Sequence, residues 1–228
     1  MTTPFKCLLL LAVLCIPCLS LAEEEGLPEG FCYVEDVIPD VILEMRYAGT
    51  HNFVGDVIDG YERNTAILTV EAAKALKEAA DAFREMGYRI KIFDAYRPQR
   101  AVKHFVRWSQ DGDDMRMQAE FYPEFQKKSL LVDQGYIARN SSHMRGSALD
   151  LTLTDLDGNE LDMGTVFDYF GKKAWHDAVN VTPEQKENRE LLKSVMEANG
   201  FKAFEQEWWH YRLKDEPYKT EKFNFPVK

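Results

Sequence analysis

The chain has 228 residues, 45% of them hydrophobic and 12% aromatic, which is enough apolar material to bury one full core. Its formal net charge of -10 argues against nucleic acid or an anionic membrane surface as the main partner, while leaving a small-molecule partner open. No linker rich in glycine, serine or proline and no fixed-period repeat divides the sequence, so we predict a single domain.

Residues 1–22 have the features of a signal peptide. Lys6 gives a short positive start, residues 7–14 are almost wholly apolar, and the stretch ends in Ser20-Leu21-Ala22, where small residues suit cleavage. The apolar run is too short for a spanning helix. We therefore expect residues 23–228 to be the mature domain, exported to a periplasm or secreted, without stable membrane insertion after the signal is removed.

Cysteine usage is compatible with export. Cleavage after residue 22 would leave Cys32 alone, so no intramolecular disulfide is expected even in an oxidising compartment. A lipid anchor at Cys15 or Cys18 is the alternative to soluble export, although neither cysteine has small residues at both preceding positions.

The first half of the mature chain predicts strands around one clear helix. Residues 31–47 contain short β-branched and aromatic runs typical of edge strands, and residues 47–55 are typical of a loop. Apolar residues at i, i+3 and i+4 spacing predict a helix over 70–86, capped by Thr69 or Asn64 and ended by Gly87.

The next strand is predicted to deliver an arginine. Residues 88–93 alternate in polarity as a strand does, and Arg97 follows just before Pro98. Because a residue before proline is pushed towards extended geometry, a helix is expected to begin just after Arg97. This arrangement favours a fixed guanidinium pointing into a cleft, with a surface salt bridge as the alternative. Residues 109–139 are predicted to be an irregular helical insertion.

The most informative stretch runs from Ser141 to Thr154. Residues 148–154 alternate, with leucines at 149, 151 and 153 on one face and polar residues at 150, 152 and 154 on the other. This pattern predicts a half-buried strand with Asp150 on its polar face. An unbroken strand would point His143 the opposite way, but Gly146 permits a bulge or turn that brings both side chains to the same side. The alternative is a surface histidine and an edge-strand aspartate.

The last part of the chain supplies further carboxylates and a second imidazole. Residues 155–159 are acidic but lack the spacing of a calcium loop, so a hairpin turn is predicted. Residues 162–171 are predicted to be a loop that places Asp168 beside aromatic residues, and residues 183–199 a second helix. Residues 201–213 are then predicted to be a final strand carrying Glu207 and His210.

These side chains together predict a catalytic metal site. Two histidines and an aspartate suit Zn²⁺, which accepts imidazole nitrogen and carboxylate oxygen together, and three protein ligands leave the fourth position open. Glu207 and His210 oppose each other on a flat strand, so Glu207 needs a bend or bulge to act as a base beside the metal.

The pattern Ser141-x-His143-x-x-Gly146-x-Ala148-x-Asp150, with Glu207-x-Trp209-His210, resembles the zinc D-alanyl-D-alanine peptidases. More narrowly, it is similar to the D-Ala-D-Ala dipeptidases associated with vancomycin resistance and D-alanine recycling. The resemblance runs from about Phe31 to the C-terminus and includes these further segments: Tyr47-Ala48, Asp59-Gly60-Tyr61-Glu62, Tyr96-Arg97-Pro98 and Met163-Gly164-Thr165-x-Phe167-Asp168. It implies an α+β fold of Hedgehog-like type, a mainly antiparallel sheet flanked by helices.

The resemblance also implies a role for each candidate residue. His143, Asp150 and His210 would bind one zinc ion per chain, Glu207 would be the catalytic base and acid, and Arg97 would hold the developing oxyanion. Tyr47 and Asp168 would receive the substrate ammonium, and Ser141 with Tyr61 the substrate carboxylate.

The expected activity is zinc-dependent hydrolysis of free D-Ala-D-Ala to two D-alanines, with this small dipeptide as the partner. Two alternatives stay open: a carboxypeptidase that trims D-alanine from longer peptidoglycan stem peptides, and a non-catalytic zinc-binding module. Neither the oligomeric state nor the choice between resistance and recycling is predicted.

Overall fold

The structure is a computed structural model that describes residues 26–228. These residues form seven strands and six α-helices, in this order: β1 (Phe31–Tyr33), α1 (Val34–Val37), β2 (Ile42–Leu43), β3 (Ile67–Thr69), α2 (Val70–Glu85), β4 (Tyr88–Asp94), α3 (Gln99–Gln110), α4 (Gln118–Phe121), α5 (Ser129–Asp133), β5 (Ala148–Asp155), α6 (Pro183–Ala198), β6 (Phe201–Phe204) and β7 (Glu207–Leu213). Short 3₁₀ turns cover Arg46–Ala48, Ser142–Arg145 and Lys172–Ala174.

The main sheet has five strands in the order β2-β4-β5-β7-β6. Only the β2–β4 pair is parallel, and the β4–β5, β5–β7 and β7–β6 pairs are antiparallel. Strands β1 and β3 form a separate antiparallel pair. The predicted α+β class with a mainly antiparallel sheet is therefore confirmed.

Helices α2 and α6 pack against this sheet and against each other. The Thr69 hydroxyl accepts a hydrogen bond from the amide of Ala72 at 3.3 Å, so Thr69 is the cap of α2, as one of the two predicted alternatives had it. The buried face of α2 packs on β4 and on α6, while α6 packs on β6. Gly87, with φ 88°, ends α2 and leads directly into β4.

The prediction that β5 is half-buried is wrong, because both of its faces are covered. Asp150, Thr152 and Thr154 are as inaccessible as the leucines between them. The strand lies at the centre of the sheet between β4 and β7, and the chain after it folds back alongside it. The amide of Leu161 donates to the Leu153 carbonyl at 2.9 Å in this returning segment.

The prediction of one final strand is also corrected, since residues 201–213 form the β6–β7 hairpin. The turn at residues 205–206 contains no glycine, proline or asparagine, so the sequence carries no hairpin signal there. The register shifts between Ala203, which pairs with Tyr211, and Phe204, which pairs with Glu207. This irregularity supplies the bend that Glu207 was predicted to need.

The predicted signal peptide, residues 1–22, lies outside the described residues, as do Cys7, Cys15 and Cys18. Cys32 lies in β1 and carries a free thiol. None of the helices in residues 26–228 combines the length and apolar character needed to cross a membrane.

Candidate metal centre

A tight turn before β5 presents His143. The 3₁₀ turn begins after Ser141, whose hydroxyl accepts a hydrogen bond from the His143 amide at 3.2 Å. It ends at Gly146, where φ is 74°, a left-handed conformation that glycine adopts without steric cost. As predicted, this turn brings His143 to the side of the sheet on which Asp150 lies, and both side chains are buried.

Strand register brings in the second histidine. Asp150 of β5 is the direct partner of His210 on β7, so the two side chains project from neighbouring strands to one face. The His210 Nδ1 atom lies 2.9 Å from Asp150 Oδ1, and the Ser142 hydroxyl lies 3.3 Å from the other ring nitrogen of His210.

The three donor atoms have the spacing that a tetrahedral zinc ion requires. His143 Nε2 lies 3.4 Å from Asp150 Oδ1 and 3.1 Å from His210 Nδ1. Ligands at zinc's usual bond lengths stand about 3.3 Å apart at the corners of a tetrahedron. Among the described residues, this is the group of three that could hold a metal ion. The donors therefore fit zinc in both chemistry and spacing.

The ring orientation of His143 is fixed by a hydrogen bond at Nδ1, the nitrogen that faces away from the other two donors. Its Nδ1 lies 2.7 Å from the carbonyl oxygen of Ala95, and because a carbonyl only accepts, Nδ1 must carry the proton. The unprotonated Nε2 is then left facing the cluster. Metal-binding histidines are commonly held in this way by a carbonyl or carboxylate on the outer nitrogen.

The electrostatics of the cluster favour a bound cation. Burial acts to raise the pKa of the Asp150 carboxyl, but the facing rings of His143 and His210 outweigh it and hold that pKa well below its usual range. Asp150 therefore keeps its negative charge in a buried position. Two imidazoles and a carboxylate this close together are stabilised when a positive charge lies between them.

Asp94, at the end of β4, is a site residue that the sequence reasoning missed. It is fully buried, and it accepts hydrogen bonds from Tyr61 Oη at 2.5 Å and from Arg97 Nε at 2.8 Å. Its Oδ2 also lies 3.4 Å from His143 Nδ1. The available signal was its position three residues before Arg97 at a strand end, where it anchors the guanidinium.

Arg97 points into the pocket, as predicted, and does not form a surface salt bridge. Its side chain is 13% exposed, and Nη2 lies 3.4 Å from Asp150 Oδ2. The guanidinium also lies over the ring of Tyr47, 5.1 Å from the ring centroid. With Asp94 and Asp150 on one side and an aromatic ring on the other, its position is fixed by three different contacts.

Glu207 lies beside this group of three donors but is not part of it. Its Oε2 is 3.8 Å from His210 Nδ1, and it lines the same pocket. Burial raises the pKa of the Glu207 carboxyl to about 7. A carboxylate with a pKa near neutrality is well matched to taking up and returning a proton.

Asp168 lies at another part of the pocket and has an unusual backbone. Its φ of 61° is the only positive value at a non-glycine residue in 26–228. Its Oδ2 accepts a hydrogen bond from Tyr47 Oη at 2.8 Å. Burial raises the pKa of the Asp168 carboxyl well above its usual range. A buried carboxyl of this kind is suited to a partner that brings a positive charge.

One cavity of about 370 Å³ contains most of the predicted site residues. Its lining includes the metal-binding group, Glu207, Arg97, Asp168, Tyr47 and Ser141. Tyr61 is the exception, because it lies beneath the cavity with its hydroxyl bonded to Asp94. Its predicted contact with a substrate carboxylate stays a prediction. Trp209 forms part of the wall, and Trp208 instead donates through Nε1 to Thr165 Oγ1 at 2.8 Å.

Comparison with known proteins gives a consistent result. A family model described as D-Ala-D-Ala dipeptidase matches residues 28–228. The chain is 40% identical over 200 residues to a D-alanyl-D-alanine dipeptidase of Enterococcus faecium, covering 87% of this chain and 98% of that relative. It is 38% identical over 198 residues to the D-alanyl-D-alanine dipeptidase of Streptomyces coelicolor, covering 86% of this chain and 98% of that relative. It is 33% identical over 177 residues to that of Escherichia coli, covering 78% of this chain and 81% of that relative.

Two solved structures show more distant similarity. One is the zinc complex of a VanY D,D-pentapeptidase mutant from a VanB-type resistance cassette, with 16% identity, a TM-score of 0.39, and coverage of 67% of this chain and 76% of that one. The other is the LD-carboxypeptidase LdcB, with 17% identity, a TM-score of 0.42, and coverage of 85% and 72%.

Proposed function

The chain belongs to the D-Ala-D-Ala dipeptidase family, and we propose that it hydrolyses free D-Ala-D-Ala to two molecules of D-alanine with the help of one zinc ion. The observation that carries this proposal is a single cavity that contains a zinc-compatible donor group, a carboxylate suited to proton transfer and a buried aspartate suited to an ammonium. A free dipeptide presents an ammonium, a peptide carbonyl and a carboxylate within one short molecule.

The zinc ligands in this proposal are His143, Asp150 and His210, whose donor atoms already stand at tetrahedral spacing. A bound zinc ion supplies Lewis acidity, which polarises the substrate carbonyl and lowers the pKa of a coordinated water. The protein's contribution is to hold the donors in place, through the Asp150–His210 strand pairing and the bond from His143 to the Ala95 carbonyl.

Glu207 moves the proton. It accepts a proton from the attacking water and returns it to the leaving amine, which is the work of one carboxylate acting first as base and then as acid. Its buried position beside His210 puts it at the edge of the metal group, and its pKa of about 7 suits both steps.

Arg97 stabilises the negative charge that develops on the carbonyl oxygen. Its guanidinium is held by Asp94 and Asp150 before any substrate arrives, so no reorganisation is required at the moment of reaction. Preorganised donors of this kind contribute about 3 kcal/mol to transition-state stabilisation.

Asp168 and Tyr47 receive the substrate ammonium. The high pKa of the buried Asp168 carboxyl falls when a cation arrives, because each charge then stabilises the other. Ser141, which lines the cavity close to the metal group, is assigned to the substrate carboxylate. Tyr61 is proposed to assist at that end, and its bond to Asp94 also links it to Arg97.

Export is part of the same proposal. The charged start, apolar run and small-residue end of residues 1–22 support a signal peptide, followed by a mature domain over 23–228 in a periplasm or outside the cell. Purified material from a bacterial host should then begin at Glu23, which N-terminal sequencing would show.

The function is tested by measuring D-alanine release from free D-Ala-D-Ala and from a stem pentapeptide ending in D-Ala-D-Ala, with and without a chelator. We expect chelator-sensitive release from the dipeptide and little from the pentapeptide, whose substituted amino group cannot pair with Asp168. A preference for the pentapeptide would make the protein a carboxypeptidase. Absence of release from either substrate by zinc-loaded protein would overturn the enzymatic proposal.

A further inference from the structure

One polar face of helix α6 makes hydrogen bonds to the segment that contains Asp168. Gln185 Nε2 donates to Asp162 Oδ2 at 2.8 Å, and Asn188 Nδ2 donates to the Asp162 carbonyl at 2.9 Å. Positions 185, 188 and 189 are three and four residues apart, so they share one face of the helix. The third of these residues, Arg189, makes the most extensive contact.

Arg189 binds both sides of the Asp168 loop with one guanidinium. Its Nε donates to the Met163 carbonyl at 2.7 Å, Nη1 to the Trp175 carbonyl at 2.8 Å and Nη2 to the Lys173 carbonyl at 3.0 Å. Met163 lies five residues before Asp168 and Lys173 five residues after it. The guanidinium therefore fixes the distance between the two ends of the loop.

The charge on Arg189 is buried without a direct ion pair. The residue is 2% exposed, and within residues 26–228 no carboxylate forms a salt bridge with it. Burial accordingly lowers the pKa of Arg189 to about 10. A buried charge whose hydrogen bonds all go to carbonyl groups, with the Asp162 carboxylate acting on it without a direct bond, is costly. A leucine or methionine would fill such a position at less cost if packing alone were needed.

The loop that contains Asp168 must be stabilised by contacts from outside it, because the backbone conformation of Asp168 is strained. Asp168 has a positive φ, which costs about 1 kcal/mol or more and persists only where surrounding contacts impose it. Between the ends of the loop, the contacts that hold it include the Trp208–Thr165 bond and a bond from the Phe170 amide to the Phe121 carbonyl at 2.7 Å. The two ends depend on α6.

We propose that Arg189 is a positioning residue for the ammonium end of the substrate, since it fixes both ends of the loop that presents Asp168 to the cavity. Arg189 does not line the cavity, so it is not placed to touch a substrate bound there. Its effect passes through the loop backbone to Asp168 and then to the amino group. The inference rests on the proposed role of Asp168 and extends it to a residue 21 positions away in sequence.

The geometry requires arginine in particular. Its planar fork reaches three carbonyls at once, whereas the single ammonium of lysine is a compact charge on a flexible stem. Arg189→Lys should therefore keep the charge but hold fewer loop carbonyls, and Arg189→Met should keep the approximate length of the side chain while removing every donor.

The test compares four variants of the zinc-loaded protein: Arg189→Met, Arg189→Lys, Asp168→Asn and Leu192→Ala. Leu192 lies on the same helix and is fully buried, so its truncation is a matched destabilising control without a donor to the loop. Steady-state kinetics are measured with D-Ala-D-Ala and with N-acetyl-D-Ala-D-Ala, well below each variant's Tm, together with Tm and bound zinc per chain.

For Arg189→Met we expect KM for D-Ala-D-Ala to rise at least tenfold with kcat changed less than threefold, and preference for the free over the acetylated dipeptide to fall at least fivefold. Arg189→Lys should lie between this variant and the wild type. Leu192→Ala should lower Tm and leave KM and preference within twofold. Zinc should stay at one per chain throughout.

The outcomes distinguish a failure of the Arg189 inference from a failure of the proposed ammonium site at Asp168. If Asp168→Asn loses preference for the free amine but Arg189→Met lowers only Tm, as Leu192→Ala does, Arg189 is structural and the inference is wrong. If Asp168→Asn itself keeps both KM and preference, the proposed ammonium site is wrong, and a changed KM in Arg189→Met cannot then be attributed to it.

Discussion

The two ends of the cavity are built by different means. The proposed metal end is carried by regular structure, since Asp150 and His210 face each other across paired strands and His143 comes from a turn bonded to Ala95. The end proposed to receive the ammonium is carried by a loop, where Asp168 has a positive φ and depends on side chains from α6 and β7. Backbone register fixes the first end, and side-chain hydrogen bonds fix the second.

Substitutions at the two ends of the cavity should therefore affect activity differently. A change at the metal end removes a ligand from a group of three, so its effect should be nearly all-or-none. A change at the ammonium end shifts a loop or removes one hydrogen bond, so its effect should be graded and appear mainly in KM. Arg97 contacts both regions, because it pairs with Asp150 and lies over Tyr47.

The largest effect is expected for Asp150→Asn. The amide keeps the shape but loses the negative charge, so zinc should be lost on dialysis and kcat/KM should fall by about 10³ or more. Zinc per chain and D-alanine release measure the two effects. The control is Thr152→Val on the same strand, since the Thr152 hydroxyl has no hydrogen-bond partner in the structure. Retention of zinc and activity by Asp150→Asn would show that Asp150 is not an essential zinc ligand.

Glu207→Gln should separate metal binding from proton transfer. Zinc should stay at one per chain while kcat falls by about 10³, because an amide cannot accept the proton. Glu205→Gln, two residues earlier in an exposed turn, is the matched control and should behave as the wild type. A Glu207→Gln variant with wild-type kcat would mean that another group is the base.

Arg97→Lys tests the residue that contacts both ends. Lysine keeps the charge but loses the fork that engages Asp94 and Asp150, so kcat should fall by about 10². The fall should appear in kcat more than in KM, because the contact strengthens in the transition state. A change confined to KM would instead place Arg97 in ground-state binding of substrate.

Tyr47→Phe should give the graded response of the ammonium end. It removes one hydrogen bond to Asp168, a loss of about 1 kcal/mol, so KM should rise about fivefold and kcat should stay within twofold. Tyr122→Phe, at a buried tyrosine outside the cavity, serves as the control. A collapse of kcat in Tyr47→Phe would show that this end is not merely a binding element.

The smallest effect on activity is expected at His176, whose titration should change stability alone. His176 follows the loop, and its amide donates to the Glu205 carbonyl. Burial, with Lys193 and Arg189 nearby, lowers the pKa of His176 to about 4. Between the unfolded pKa of about 6.5 and this value, the unfolded chain binds more protons, so stability falls as pH falls. The expected loss from pH 7 to 5 is about 2 kcal/mol by denaturant titration. His176→Gln should remove that loss, and an unchanged pH dependence would contradict the assignment.

The contrast also explains what the sequence could predict. The metal end was found because His143, Gly146 and Asp150 stand close together in sequence, and the period-2 pattern placed Asp150 on one face of a strand. The burial of both faces of β5 was missed, because polar residues such as Thr152 and Thr154 are typical of an exposed strand face and their burial comes from tertiary packing. The β6–β7 hairpin was missed because its turn lacks the usual turn residues.

The ammonium end was less accessible to sequence reasoning for a physical reason. Asp168 was placed correctly in a loop beside aromatic residues, but nothing in the local sequence indicates its positive φ or its dependence on Arg189. Arg189 lies in an amphipathic helix rich in charged residues, where an arginine is expected to face solvent. Only the tertiary packing of α6 on the loop turns it inward. Asp94 was missed similarly, since its partners come from three separate segments.

The most direct test of the account is a crystal structure of the zinc-loaded protein with a non-hydrolysable phosphinate analogue of D-Ala-D-Ala, with anomalous data at the zinc edge. The account predicts one anomalous peak bonded to His143 Nε2, Asp150 and His210 Nδ1, with the ammonium of the analogue against Asp168 and Tyr47. A zinc peak elsewhere, or an analogue bound with its ammonium away from Asp168, would contradict the account.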